Sequence, residues 1–74
     1  MKEKRAQIRI STEFITLGQF LKLADIIHSG GEAKFYLQEH KVIIDGEVDQ
    51  RRGRKLYPGD EVEVEKATYE ICSV

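Results

Sequence analysis

Asp45-Gly46, set between the apolar run Val42-Ile43-Ile44 and Glu47-Val48-Asp49, constrains the fold more than any other stretch of the 74-residue chain. An Asp-Gly pair tolerates two successive left-handed residues, which a two-residue type I′ turn between antiparallel strands requires. A β-hairpin is therefore predicted there. Downstream, Pro58-Gly59 marks another turn, and Glu61-Val62-Glu63-Val64-Glu65 alternates so that valines face inward and glutamates face water. Ala6 to Ile10 reads as a short first strand with Ile8 and Ile10 on one side, followed by a turn at Ser11-Thr12. Tyr69 and Ile71 belong to a last strand that can pair with the strand near Ile8 and tie down both termini.

Between the first strand and the hairpin the apolar period changes. Leu17, Phe20, Leu21 and Ala24 follow the spacing of a buried helical stripe, with Ile27 near its edge. Thr16 and Gln19 form a capping-box pattern that fixes the start of this first helix. A second box, Ser29-Gly30-Gly31-Glu32, precedes Ala33, Tyr36, Leu37 and His40 on one face, predicting a second helix from about Gly31 to Glu39. The short connection implies a compact helix pair whose stripes share one core and whose outer faces are available for contacts.

A chain this short fits one domain, residues 1–74, because dividing it would leave neither half enough buried surface. Its 41% hydrophobic and 34% charged residues are those of a folded soluble domain. Cys72 is the only cysteine, so no intramolecular disulfide can form, and a reducing cytoplasm fits best. No apolar run approaches membrane-spanning length, which disfavours a membrane location. The formal net charge of −1 argues against a general nucleic-acid binder. Its distribution is uneven, however. Lys2, Lys4, Arg5 and Arg9 form one basic group and Arg51, Arg52, Arg54 and Lys55 another, while Asp60, Glu61, Glu63 and Glu65 are acidic, which predicts a polarised surface.

From Thr16 to Val64 the chain resembles the S-four RNA-binding domain, named after small-subunit ribosomal protein four. The resemblance rests on Leu17 with Phe20-Leu21, Ser29 followed by Glu32-Ala33-Lys34, Val42, Asp45-Gly46 with Val48, and Pro58-Gly59-Asp60-Glu61-Val62. It implies an α+β fold in which a two-helix motif of the αL type packs on a small bent antiparallel sheet, with residues 16–64 as the core. It also implies docking on structured RNA, ribosomal RNA foremost. The flanking strands and Gly-Gly-Glu-Ala-Lys look most like a small free-standing bacterial subfamily linked to ribosome maturation. Thr16, Gly30-Gly31 and His40 depart from the family, which often carries Arg, a basic pair and Gly at those places.

The residues expected to contact RNA are Ser29, Gly30, Gly31, Lys34, Lys41, Arg51, Arg52, Arg54 and Lys55. Bare glycines at a helix start expose N–H groups at the positive end of the dipole, a phosphate-binding arrangement, although two glycines can equally serve a tight turn with positive φ. The arginine stretch offers forked donors suited to phosphate, or forms a solvated loop whose charges offset nearby acids. Phe35 falls off the apolar stripe and is expected to be exposed. There it can stack on a base, or pack against the N-terminal segment or a protein partner. His28, His40 and Cys72 lack the close paired spacing of a zinc site, and no nucleophile–base arrangement is visible. The expectation is a protein without a cofactor or catalytic activity. An adaptor that meets a protein through its helix face and Phe35 is the alternative.

Overall fold

The computed structural model describes residues 4–65 and 67–74. Lys2 of the N-terminal basic group lies outside the described residues, and of Lys4 and Arg5 only the backbone is described. The elements run β1 (Lys4–Ile10), β2 (Ile15–Thr16), α1 (Leu17–Leu23), α2 (Glu32–Glu39), β3 (Val42–Ile44), β4 (Glu47–Val48), β5 (Lys55–Leu56), β6 (Glu61–Val64) and β7 (Ala67–Ser73). One sheet has the order β1-β7-β6-β3-β4, and β2 pairs with β5 in a second, two-stranded sheet. The α+β class is as expected.

Local chemistry explains most of the boundaries. Asp45 and Gly46 adopt φ of 49° and 88°, the two left-handed residues of the hairpin turn, and Ile44 pairs with Glu47 across it. Asp45 also locks the hairpin to the next strand, since its N–H donates to the Glu61 carbonyl at 2.9 Å and its carboxylate accepts from the Glu61 N–H at 3.0 Å. Thr16 caps α1 as predicted, its hydroxyl accepting from Gln19 N–H while the Gln19 side chain accepts from Thr16 N–H. The helix ends in a Schellman motif: Ile26 N–H donates to the Leu21 carbonyl and Asp25 N–H to that of Lys22, with Asp25 at φ 62°.

The core lies between the helix pair and the larger sheet. Leu17, Phe20 and Leu21 from α1 and Ala33 and Leu37 from α2 cluster with Val42, Ile44, Val62, Val64 and Ile71 from the strands. Each fully buried Leu, Ile or Val contributes roughly 1.5–3 kcal/mol of transfer free energy. Phe20 meets Tyr69 edge-on at 5.2 Å. Val62 and Val64 face inward while Glu61 and Glu63 are exposed, as the alternation requires.

Three expectations need correction. The terminal strands do pair, Ile8 opposite Ile71, but they run parallel, so the sheet is mixed rather than antiparallel throughout. Side-chain alternation sets which face is buried and carries no information about strand direction. The second capping box is only half formed: Glu32 Oε1 accepts from the N–H groups of His28 (2.6 Å) and Ser29 (3.1 Å), whereas Gly31, with φ −69°, is the N-cap and no side chain caps the helix from that end. Finally, Lys55 lies in β5 opposite Thr16 instead of on a loop.

Candidate nucleic-acid interface

The loop from Asp49 to Arg54 is fixed by what α1 leaves unsatisfied. The first N–H groups of a helix lack intrahelical partners, and here Leu17 and Gly18 donate to the carbonyls of Arg54 (2.8 Å) and Arg52 (2.9 Å). At the other end of the loop, Gln50 Nε2 donates to the carbonyl of Leu37 at 2.6 Å and reaches that of His40 at 3.4 Å, capping the last turn of α2. The loop thus bridges the start of one helix and the end of the other.

Arg52 consequently stands between two grooves. One, of about 550 Å³, is lined by Lys34, Leu37 and Gln38 from α2 and by Gln50 and Arg52. The other, of about 370 Å³, is lined by Gly18, Gln19 and Lys22 from α1, Gly30, Ala33, Arg52 and Gly53. Lys22, Lys34 and Arg52 are exposed, and none has an acidic partner among the described residues. Arg52 is thus shared by both grooves, with Lys34 on the larger and Lys22 and Gly30 on the smaller.

The remaining expected residues are placed differently. Arg51 donates from Nε and Nη2 to the two Asp49 carboxylate oxygens at 3.0 and 2.8 Å, and its backbone N–H donates to Asp49 as well. The Arg54 guanidinium lies 3.7 Å from the same carboxylate. Hydrogen bonds from Arg51 depress the Asp49 pKa to about 2. Lys55 Nζ sits 4.8 Å from the centroid of the Phe14 ring, and Lys41 is exposed between α2 and β3; neither lines the grooves.

At the start of α2, Ser29 and Gly31 are exposed, but the Glu32 carboxylate occupies the Ser29 N–H, and the N–H groups of His28 and Ser29 hold that acid below its ordinary pKa. Glu32 and Ala33 N–H groups donate to the carbonyls of Ser29 and Gly30, which leaves Gly30 and Gly31 N–H without a partner among the described residues. Neither glycine has positive φ, and a Cβ at either would meet nothing within 4 Å, so the turn does not require them. Phe35 is 65% exposed, as its helical position implied. Among the described residues no group of His, Cys, Asp and Glu gathers to hold a metal ion.

Lys22, Gln50 and Asp49 carry no sequence signal that assigns them to the site. Lys22 shares a helical face with Gly18 at i, i+4, a signal that becomes informative only once the Arg52 loop is known to lie there.

This helix pair on a mixed sheet, with cations on both helices and on the adjoining loop, falls within a known class of domain. The S4 domain model matches residues 8–72, and the chain belongs to the S4 domain family. It is also similar to a particular bacterial protein, the "Probable ribosome maturation protein RlbA" of Bacillus subtilis (strain 168). The two are 67% identical over 58 residues, which cover 78% of this chain and 82% of the relative.

Proposed function

We propose that this protein is a non-catalytic RNA-binding protein that docks on structured RNA, with ribosomal RNA as its target, and acts in ribosome assembly or translation quality control in the bacterial cytoplasm. The observation that carries the reading is that Arg52, Lys34 and Lys22, none with an acidic partner among the described residues, line two grooves that share Arg52 between the helices and the loop. Cations on separate rigid elements can follow a folded phosphate backbone, and the exposed N–H groups of Gly30 and Gly31 add uncharged donors beside them. Family membership and the maturation role named for the Bacillus subtilis relative support the same target. Arg54, Lys55 and Lys41 serve as peripheral contacts, and Arg51 acts mainly through Asp49. Residues 1–74 act as one domain in this reading.

Recognition rests on backbone shape, because the deep groove of duplex RNA hides its base edges. The test is crosslinking in cells with sequencing of the attached RNA, combined with co-sedimentation against ribosomal subunits. Arg52→Glu with Lys34→Glu should abolish co-sedimentation. Retention of both the crosslink and the co-sedimentation in that variant rejects the proposal.

The exposure of Phe35 supports a second reading, an adaptor for a protein partner. In that case Phe35→Ser loses the partner while the charge-reversed protein keeps it.

A further inference from the structure

The larger groove carries more than positive charge. Gln50 Nε2 faces two carbonyl oxygens, those of Leu37 and His40. A carboxamide nitrogen has two N–H groups, and both are directed at these acceptors, so the orientation of the amide is not interchangeable. Oε1 is then left as an acceptor with no donor among the described residues, on a residue that lines the groove. Gln38, one residue beyond Leu37, is exposed and its side chain makes no hydrogen bond among the described residues, leaving both ends of its amide free. Lys34 and Arg52 stand beside these groups, over a floor to which the buried Leu37 contributes only its edge.

A cationic rim, one fixed acceptor and one adaptable amide match the phosphate and the polar base edge of a nucleotide. The groove volume of about 550 Å³ falls in the range of small-molecule sites. We infer that this groove takes a single unpaired nucleotide of the bound RNA, selecting bases with an exocyclic amino group over uracil. The amino group donates to Gln50 Oε1, Gln38 matches the neighbouring polar atom, and the phosphate lies against Lys34 and Arg52. Uracil is disfavoured because it presents carbonyl oxygens where the other bases carry the amine, and its one ring N–H lies between two acceptors that repel Oε1. The inference rests on the RNA-docking reading and adds a base preference to it.

The test is an NMR titration of the full chain with AMP, CMP, GMP and UMP, with ribose 5-phosphate as the base-free probe. The three amino-bearing nucleotides should shift the side-chain amide signals of Gln38 and Gln50. They should bind about three- to tenfold more tightly than UMP or ribose 5-phosphate, the worth of one hydrogen bond. Gln38→Ala removes an exposed side chain without a structural partner; it should weaken all three severalfold and keep the preference over UMP. Equal affinity for UMP, or silent glutamine signals with shifts confined to Lys34 and Arg52, would overturn the inference. If ribosomal RNA still binds in that event, docking stands without the nucleotide site; if RNA binding is also absent, the functional reading itself has failed.

Discussion

The backbone N–H of Gly18 donates to the carbonyl of Arg52 at 2.9 Å, and this bond sets the interface. It uses a donor that α1 cannot satisfy internally to hold the arginine loop against the helix. A Cβ at Gly18 would lie 3.5 Å from the Arg52 carbonyl and 3.6 Å from Ala33 Cβ, both ordinary contacts. Gly18→Ala should therefore be accommodated and should raise stability by about 0.5 kcal/mol, because Ala loses less backbone freedom on folding. Gly18→Leu should displace the loop or α2 and cost about 1–3 kcal/mol. Urea denaturation of both variants checks the pair, and a destabilised Ala variant would contradict the packing described.

Adjacent arginines in this loop are not equivalent. Arg51 is held by both oxygens of Asp49, while Arg52 faces the grooves without an acidic partner. If Lys22, Lys34 and Arg52 each neutralise about one phosphate, the log–log slope of RNA affinity against salt should be about −2 to −3. Arg52→Gln should reduce its magnitude by about 1, and Arg51→Gln should leave it nearly unchanged. Filter binding over a salt series measures both slopes. Equal losses for the two variants would mean that Asp49 does not withdraw Arg51 from the phosphates.

The Asp49–Arg51 pair also predicts an acid response. The folded-state pKa of Asp49 is depressed from its ordinary 3.8 to about 2, chiefly by hydrogen bonds from Arg51. The unfolded chain therefore binds the proton first as pH falls. The contribution of this pair is complete above about pH 5 and is lost as pH drops through about 4 to 2. Asp49→Asn should remove that part of the acid dependence and cost about 1 kcal/mol at neutral pH, the upper end for a well-formed exposed pair. Thermal melts of both proteins between pH 7 and pH 3 should converge toward the acid end. Parallel curves would show that the pair contributes nothing to the fold.

Where the sequence was informative, one short segment held the whole cause. Asp45-Gly46 supplies both left-handed residues of its turn, and Thr16 with Gln19 holds both halves of a cap. Features that join distant segments were not legible. The direction in which β1 meets β7 depends on the path of everything between them. The end of α1 was hidden because Asp25, rather than the usual glycine, occupies its left-handed position. In the site, Arg51 through Lys55 read as a single basic run, and only coordinates separate the arginine bound by Asp49 from the one facing the grooves. Lys22 was missed for the same reason, since its relation to Arg52 exists only after folding.

The core sets how much change the interface can absorb. Phe20 is fully buried and meets Tyr69 edge-on at 5.2 Å, so it links α1 to β7. Truncating a buried Phe to Ala costs about 3–5 kcal/mol through lost transfer energy and the cavity left behind. A core in a chain this small supplies only about 3–5 kcal/mol of net stability. Phe20→Ala should therefore abolish cooperative thermal unfolding, and RNA binding with it. Phe20→Leu retains most of the volume and should lose only about 1–1.5 kcal/mol, keeping a cooperative transition and near-normal RNA affinity. Circular dichroism melts alongside binding assays separate the two. Cooperative unfolding in the Ala variant would show that the sheet and helices hold together without this contact, and that Phe20 is not the link between them.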